Sequence, residues 1–159
     1  MPFEAAETGQ SLVADIGGTN TRVALALGPR VEKTSVRRYR NAEFGGLEDV
    51  ILRYLAETET SNSSISGACV AAAGPVHDGV AVLTNLDWRI DREVLGRALT
   101  AEKVAVLNDL QAQGHAIGNI AAEDLTEVVP QPDASPMAAK LVVGLGTGFN
   151  ACPVFDTPG

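Results

Sequence analysis

Basic residues, aromatic residues and long apolar runs are all scarce in this sequence. Twelve Lys and Arg stand against 20 Asp and Glu, so the formal net charge is 12 − 20 = −8. Nucleic acid and anionic membrane surfaces both require a basic face, so we expect neither as a partner. Aromatic residues make up 4% of the chain, too few for a platform on which bases stack. No apolar stretch approaches the ~20 residues of a transmembrane helix.

Cysteine and histidine are equally scarce, with two of each. Cys69 and Cys152 are far apart in the sequence and lie among apolar residues. Zinc takes about four ligands, and these cysteines show no ligand spacing with His77 and His115. We expect His77 to be solvated and His115 to lie at the surface or the edge of the core. The N-terminal ten residues lack the basic start and the apolar stretch of a signal peptide. Two free thiols without an export signal indicate a cytoplasmic protein.

The apolar content, in contrast, is 45%, enough for a chain of 159 residues to bury the core of one domain and a small part of another. The first strand-like runs are separated by turn signals and predict an antiparallel meander. Helical spacing and short buried runs then alternate, which is typical of an α/β sheet covered by helices. The predicted strands are 11–16, 21–27, 31–39, 67–73, 80–83, 104–107, 141–145 and 151–155; the predicted helices are 47–55, one capped by Asp91, and 109–117.

A glycine-rich turn, DIGGTNT, follows the first predicted strand. The backbone N–H groups of Gly17 and Gly18 can point into one concavity and hold phosphate oxygens. Thr19 and Asn20 add side-chain donors, and Asp15 can hold Mg²⁺ directly or through water. An ordinary tight hairpin, in which the glycines supply positive φ angles, explains the same residues.

A second glycine-rich turn, GLGTG, contains Gly146, Thr147 and Gly148. It lacks the Lys of a Walker A loop and the last glycine of the dinucleotide fingerprint. Pro153 argues against the helix that would have to follow. A phosphate-facing hairpin and a plain turn both remain as interpretations.

Polar side chains follow two further strands. Asn108 and Asp109 come directly after a buried run, at the sheet edge where open α/β proteins bind their ligands. The Asp109 carboxylate can accept a proton from an attacking hydroxyl, although both residues are also favoured as helix caps. Asn85 lies close to Trp88, the only tryptophan, and belongs either to a polar pocket or to a loop anchored by a buried ring.

Together and in this order, these stretches resemble bacterial glucokinase, of the sugar-kinase, actin and Hsp70-type ATPase superfamily. The matching segments are LVADIGGTNTRVAL at 12–25, AAAGPV to TNLDW at 71–88, VAVLNDLQAQG at 104–114 and LVVGLGTG at 141–148. The resemblance implies transfer of the γ-phosphoryl group of ATP to the 6-hydroxyl of glucose with Mg²⁺, as in glycolysis. Glucose and ATP are therefore the expected partners.

The resemblance also implies a role for each matching residue. Asp109 matches the family's general base, Asn108 a ligand of a sugar hydroxyl, and Asn85 a segment near the sugar. Asp15 matches the metal-associated aspartate. The two phosphate loops match Gly17, Gly18, Thr19 and Asn20 for the first, and Gly146, Thr147 and Gly148 for the second. Asn150 departs from the family, which usually has glycine there.

The implied fold is a ribonuclease-H-like sugar-kinase lobe at 1–129, with a mixed five-stranded sheet and helices on both faces. A linker at 130–139 and the first hairpin of a truncated second lobe at 140–159 follow. Family members are much longer than this chain, so we expect the fragment to be inactive because half of the sugar and nucleotide contacts are absent. The alternative is a short homologue that binds a sugar or nucleotide without catalysis.

The last hairpin is apolar and is expected to lack its sheet. Exposed apolar edges pair with other chains. The sequence therefore predicts that 141–155 is disordered, docks on the first lobe, or is exchanged in a homodimer.

Overall fold

A computed structural model describes residues 9–83, 86–130, 135, 137–145 and 149–155. The chain divides into two compact units, Met1–Asp109 and Leu110–Gly159. The division at 129/130 and the linker at 130–139 stay predictions. Within the described residues, no helix has the length and apolar character that crossing a bilayer demands.

The order of elements alternates strands and helices as the sequence predicts. The described strands and helices are β1 (Gln10–Ile16), β2 (Asn20–Leu27), β3 (Arg30–Val31), β4 (Arg37–Arg40), α1 (Leu47–Glu57), β5 (Ile65–Ala72), β6 (Val76–His77), β7 (Val80–Val82), β8 (Arg89–Asp91), α2 (Arg92–Leu99), β9 (Lys103–Asn108), α3 (Asp109–Ala116), β10 (Lys140–Leu145) and β11 (Phe149–Val154). Short 3-10 turns lie at Lys33–Ser35, Asn41–Glu43, Asn62–Ser64, Ile117–Asn119 and Ala122–Asp124.

The main sheet is mixed, which confirms the predicted α/β class, and has six strands in five positions rather than the predicted five strands. Its order is β3-β2-β1-β5-β9, and β4 pairs with β2 beside β3. β1 pairs antiparallel with β2 and parallel with β5, and β5 pairs parallel with β9. The first three positions form the predicted antiparallel meander, and the parallel strands are joined by the helical crossovers.

The edge of the sheet beside β2 is interrupted between β3 and β4. The prediction of one continuous strand over 31–39 is therefore wrong for the middle of that range. The hydroxyl of Ser35 accepts a hydrogen bond from the Leu25 N–H at 2.9 Å and donates to the Glu32 carbonyl at 2.7 Å. A serine side chain thus replaces one rung of the β2 ladder. The backbone forms a 3-10 turn there and rejoins β2 as β4.

One face of the sheet carries the core. Leu12, Ala14 and Ile16 of β1 point to it, and the alternate residues of β2, β5 and β9 extend it. Helices α1 and α2 both bury their apolar sides in this cluster. The helical side chains are Leu47, Val50, Ile51, Tyr54, Leu55, Leu95 and Leu99, of which the first five follow the spacing that predicted α1.

Helix α2 begins and ends at residues suited to those positions. The Asp91 carboxylate accepts hydrogen bonds from the N–H groups of Glu93 at 2.9 Å and Val94 at 3.4 Å, which confirms the predicted cap. The hydrogen bond from Glu93 is the main cause that lowers the pKa of Asp91. Thr100, in the left-handed region with φ of 52°, ends the helix.

A small antiparallel sheet of β6, β7 and β8 follows the end of β5. Asp78 and Gly79 form its two-residue turn, and both have positive φ, the conformation that suits such a hairpin. His77 is exposed, as predicted. Trp88 is buried, and its carbonyl accepts a hydrogen bond from the Leu83 N–H at 3.3 Å. The indole ring therefore anchors this loop.

In the second unit, β10 and β11 form an antiparallel hairpin that packs against α3. Glycines allow the close approach: a Cβ on Gly114 would lie 2.9 Å from Cγ2 of Val154, and one on Gly144 would lie 3.2 Å from Cδ2 of Leu110. The opposite face of the hairpin is exposed and apolar. Leu141, Val143, Leu145 and Phe149 lie there.

Substitutions of the buried Tyr54 test how the core is packed. Its hydroxyl makes no well-formed hydrogen bond with any described residue; burial raises its pKa, and the nearby Ser35 side chain offsets part of that rise. We expect Tyr54→Phe to leave the free energy of unfolding within about 1 kcal/mol of the parent or to raise it, because no bond is lost. Tyr54→Ala should lower it by about 4 kcal/mol, since a cavity replaces the ring. Urea unfolding measures both variants, and a Tyr54→Phe variant as unstable as Tyr54→Ala would contradict this account.

Candidate functional site at the carboxyl ends of the parallel strands

Three parallel strands end in one row. Ile16 of β1 is in register with Ala72 of β5, and Ala72 with Asn108 of β9. The Ala73 N–H donates to the Ile16 carbonyl at 3.0 Å and ties the first two ends together. Because neighbouring strands lie ~4.8 Å apart, the backbone of Asn108 is roughly 10 Å from that of Ile16. The glycine-rich turn and the Asn108 segment therefore meet at one edge of the sheet.

The turn after β1 is tight, and its amides are available. The Gly17 N–H donates to the Asn20 carbonyl at 3.0 Å, while the N–H groups of Gly18 and Thr19 donate to no described residue. Among described glycines only Gly28 and Gly79 have positive φ, so the expectation of positive φ in this turn is wrong. The unoccupied N–H groups of Gly18 and Thr19 are compatible with an anion-binding turn.

The turn opens on a cleft of about 230 Å³. Its lining combines backbone donors with one carboxylate and two guanidinium groups: Asp15, Gly17, Gly18, Thr19, Asn20, Arg22 and Arg38. All four residues predicted for the first phosphate loop thus line a single cleft. The arginines were not predicted there.

Asn41 holds this turn, and the sequence analysis missed it. Its side chain is 1% exposed. The Nδ2 group donates to the Gly17 carbonyl at 2.8 Å, Oδ1 accepts from the Thr21 hydroxyl at 2.8 Å, and the Asn41 N–H donates to the Thr19 carbonyl at 3.0 Å. Because Asn41 binds the Gly17 and Thr19 carbonyls on the inner side of the turn, the N–H groups of Gly18 and Thr19 remain available to a ligand. No local motif marks Asn41, because its partners lie 20 to 24 residues away.

Asp15 precedes Ile16 in β1, one register position before the row of strand ends. Its carboxylate pairs with Arg22 at 3.5 Å. Both side chains are more than half exposed. Within the described residues no cluster of three or more His, Cys, Asp or Glu can hold a metal. Mg²⁺ commonly takes one or two carboxylates together with phosphate oxygens and water. Asp15 therefore fits a Mg²⁺ ion shared with bound phosphates, and does not fit a site made of protein ligands alone.

Asn108 and Asp109 stand at the other end of the row. The Asn108 Nδ2 group donates to the Gly74 carbonyl at 3.0 Å, which links β9 to the segment after β5. Asp109 is half-buried and is the first residue of α3, where the helix dipole stabilises a carboxylate. Both side chains are thus oriented at the sheet edge by backbone elements. Asn85, Gly146, Thr147 and Gly148 lie outside the described residues, so their roles remain predictions.

Replacement of Asn41 tests its hold on the turn. We expect Asn41→Ala to lower the free energy of unfolding by about 2 kcal/mol, because it leaves the Gly17 carbonyl and the Thr21 hydroxyl unpaired in a buried place. Hydrogen exchange of the Gly17 amide should also accelerate. Asn62→Ala is the matched control, since the half-buried Asn62 makes one side-chain bond to the Ala98 carbonyl at 3.0 Å. Equal effects of the two substitutions would refute the assignment.

Comparisons with solved structures agree with this architecture. The structure of a glucokinase from an Antarctic psychrotroph is 30% identical and superposes with a TM-score of 0.81 over 95% of this chain and 48% of that one. A glucokinase of the ROK family from Streptomyces griseus, in complex with glucose and AMPPNP, has a TM-score of 0.60 at 19% identity and shares the fold, over 92% of this chain and 45% of that one.

Comparisons of sequence agree with it as well. Glucokinase from Caulobacter vibrioides is 38% identical over 146 residues, and glucokinase from Synechocystis is 33% identical over 153. These matches cover 89% and 90% of this chain but 42% and 43% of the relatives, so the chain spans less than half their length. The glucokinase family model matches residues 12–158. The chain therefore belongs to the glucokinase family.

Proposed function

We propose that the full-length protein is an ATP-dependent glucokinase, which transfers the γ-phosphoryl group of ATP to the 6-hydroxyl of glucose. The observation that carries this proposal is the row of strand ends. A phosphate-binding turn follows β1, and a carboxylate follows β9, roughly 10 Å away across two strand spacings. Phosphoryl transfer depends mainly on such positioning, with one carboxylate to orient the attacking hydroxyl.

Each described residue has a part in the proposed reaction. The N–H groups of Gly18 and Thr19 bind phosphate oxygens. The Asp109 carboxylate takes the proton of the 6-hydroxyl while the oxygen of that hydroxyl bonds to the γ-phosphorus. The bond between the γ-phosphorus and the bridging oxygen breaks, and ADP leaves. Asn108, whose amide is bound to the Gly74 carbonyl, contacts a sugar hydroxyl. Asp15 holds Mg²⁺, which neutralises charge on the phosphates when bound.

Other parts of the proposal rest on the family alone. Asn85 lies near the sugar, and Gly146, Thr147 and Gly148 form a second phosphate loop. The rest of the sugar and adenosine contacts come from the part of the relatives' length that this chain does not span. We therefore propose a division into a first lobe at 1–129, a linker at 130–139 and the opening of a second lobe at 140–159. The 159 residues by themselves are inactive.

We also propose that the protein is cytoplasmic and acts in glycolysis. Both Cys69 and Cys152 are free thiols, which supports a reducing compartment.

Replacement of Asp109 in the full-length protein tests the function. We expect Asp109→Asn to lower kcat by about 100-fold or more, because the 6-hydroxyl loses its proton acceptor. The measurement is glucose-dependent release of ADP. Asp78→Asn, the same substitution in the exposed turn of β6 and β7, should keep the parental rate. A parent protein without glucose-dependent ADP release would overturn the function, and an Asp109→Asn variant with the parental rate would overturn the base.

The exposed face of the β10–β11 hairpin supports a homodimer of the 159-residue chain. Its apolar side chains Leu141, Val143, Leu145 and Phe149 are 42–81% exposed. A contiguous apolar face on a hairpin is a surface on which a second copy can pack.

Light scattering after size exclusion measures this association. We expect the chain to elute as a dimer and Leu145→Asp to make it a monomer, since a charge then lies on the apolar face. Leu125→Asp is the control, because Leu125 is also exposed but lies outside the hairpin. A monomeric parent chain, or equal dissociation by both substitutions, would contradict the proposal.

A further inference from the structure

Three charged side chains form a row across the sheet beside the glycine-rich turn. Asp15 of β1 is in register with Arg22 of β2, and Arg22 is in register with Arg38 of β4. Side chains alternate along strands, so these three share the face opposite Leu12, Ala14 and Ile16. Arg22 and Arg38 also line the cleft that the turn opens on. The row therefore extends the cleft from the turn to the edge of the sheet.

Arg22 and Arg38 lie directly opposite each other on paired strands, and this placement destabilises the pairing. Like charges directly across a strand pair destabilise it. Asp15 offsets one of them, since it pairs with Arg22 at 3.5 Å. Arg38 is exposed and makes no ion pair or hydrogen bond with any described residue. One guanidinium group in the cleft is thus left without an anion.

The surrounding sequence is basic in a protein that is otherwise strongly acidic. Residues 22–40 contain six Arg and Lys against one acidic residue, a net of 6 − 1 = +5, within a chain whose net charge is −8. The remaining residues therefore carry −13. This concentration of positive charge on one edge attracts anions to the cleft and away from the rest of the surface.

We propose that Arg38 binds the phosphate chain of the phosphoryl donor, as a cationic contact beside the N–H groups of Gly18 and Thr19. The ligand class is a linear oligophosphate, either the triphosphate of ATP or an inorganic chain. Thr19 of the turn is bonded to Asn41, three residues after Arg38, so the backbones of the turn and Arg38 are roughly 10 Å apart. Linked phosphates span that distance better than a single phosphate does. Guanidinium groups suit this task because they donate two parallel bonds to phosphate oxygens.

This inference rests on the proposed function, because it names a contact of the same phosphate site. It assigns to Arg38 a task that a backbone turn cannot perform. The N–H groups fix one phosphate in place, whereas a long charged side chain follows the next phosphates along the edge strand. Arg38 thereby favours donors with several linked phosphates over those with one.

Calorimetric titration of the 159-residue chain at low salt tests the contact. The probes are inorganic tripolyphosphate, ATP without Mg²⁺, and orthophosphate. We expect Arg38→Gln to weaken binding of both oligophosphates about tenfold, the loss of one charge-assisted contact, and to leave orthophosphate binding unchanged. Arg38→Lys should restore part of the affinity. The control is Arg30→Gln on β3, roughly 17 Å farther along β2, which should change affinity less than twofold.

Each outcome bears on the proposal. A loss for ATP alone assigns Arg38 to the nucleotide, and a loss for tripolyphosphate alone assigns it to an inorganic donor; both support the contact. No oligophosphate binding by the parent chain, or equal effects of Arg38→Gln and Arg30→Gln, would overturn it.

The full-length protein separates this inference from the proposed function. There, Arg38→Gln should raise the KM for ATP with little change in that for glucose. Absence of glucose-dependent ADP release together with the Arg38 effect on binding would overturn the function and keep the contact. Normal turnover with an unchanged KM for ATP would overturn the contact alone.

Discussion

The buried side-chain amide of Asn41 is the contact on which the glycine-rich turn after β1 depends. A turn of two glycines has little to stabilise one conformation, because glycine loses more conformational entropy than any other residue when it is ordered. Asn41 restricts that freedom, because it binds the Gly17 and Thr19 carbonyls and the Thr21 hydroxyl on the inner side of the turn. The N–H groups are then presented to the cleft without cost at the moment of binding, which is the preorganisation that phosphoryl transfer requires.

The parallel pairing of β1, β5 and β9 supplies the second constraint. Parallel strands joined by helical crossovers bring their carboxyl ends to one edge, whatever their separation in the sequence. The bond from Asn108 to the Gly74 carbonyl and that from Ala73 to the Ile16 carbonyl join these ends sideways. Residues almost 100 positions apart thus become parts of one site, and its geometry is set by strand spacing rather than by the loops themselves.

Local patterns in the sequence predicted most of the fold and part of the site. Apolar periodicity located α1, the Asp91 cap located α2, and the glycine-rich turn and Asn108 were found because they follow buried strands. What failed depends on contacts between distant residues. The Ser35 hydroxyl interrupts the edge strand by bonding to Leu25, and Asn41 acts on a turn that precedes it by more than 20 positions. No periodicity or spacing encodes such pairs, since each partner alone looks like an ordinary loop residue.

The net charge of the chain likewise does not predict the local charge at the cleft. The net charge of −8 argues against a polyanionic macromolecule as partner, because such a partner contacts a wide surface. A phosphate chain contacts only one cleft, and its binding depends on the few charges within a Debye length of it. Six of the 12 basic residues lie between positions 22 and 40, and the register of β2 with β4 brings two of them to the cleft. A locally basic edge therefore gives an acidic protein a place for the phosphate chain proposed above, while the net charge of its remaining residues opposes contact with anions of large extent.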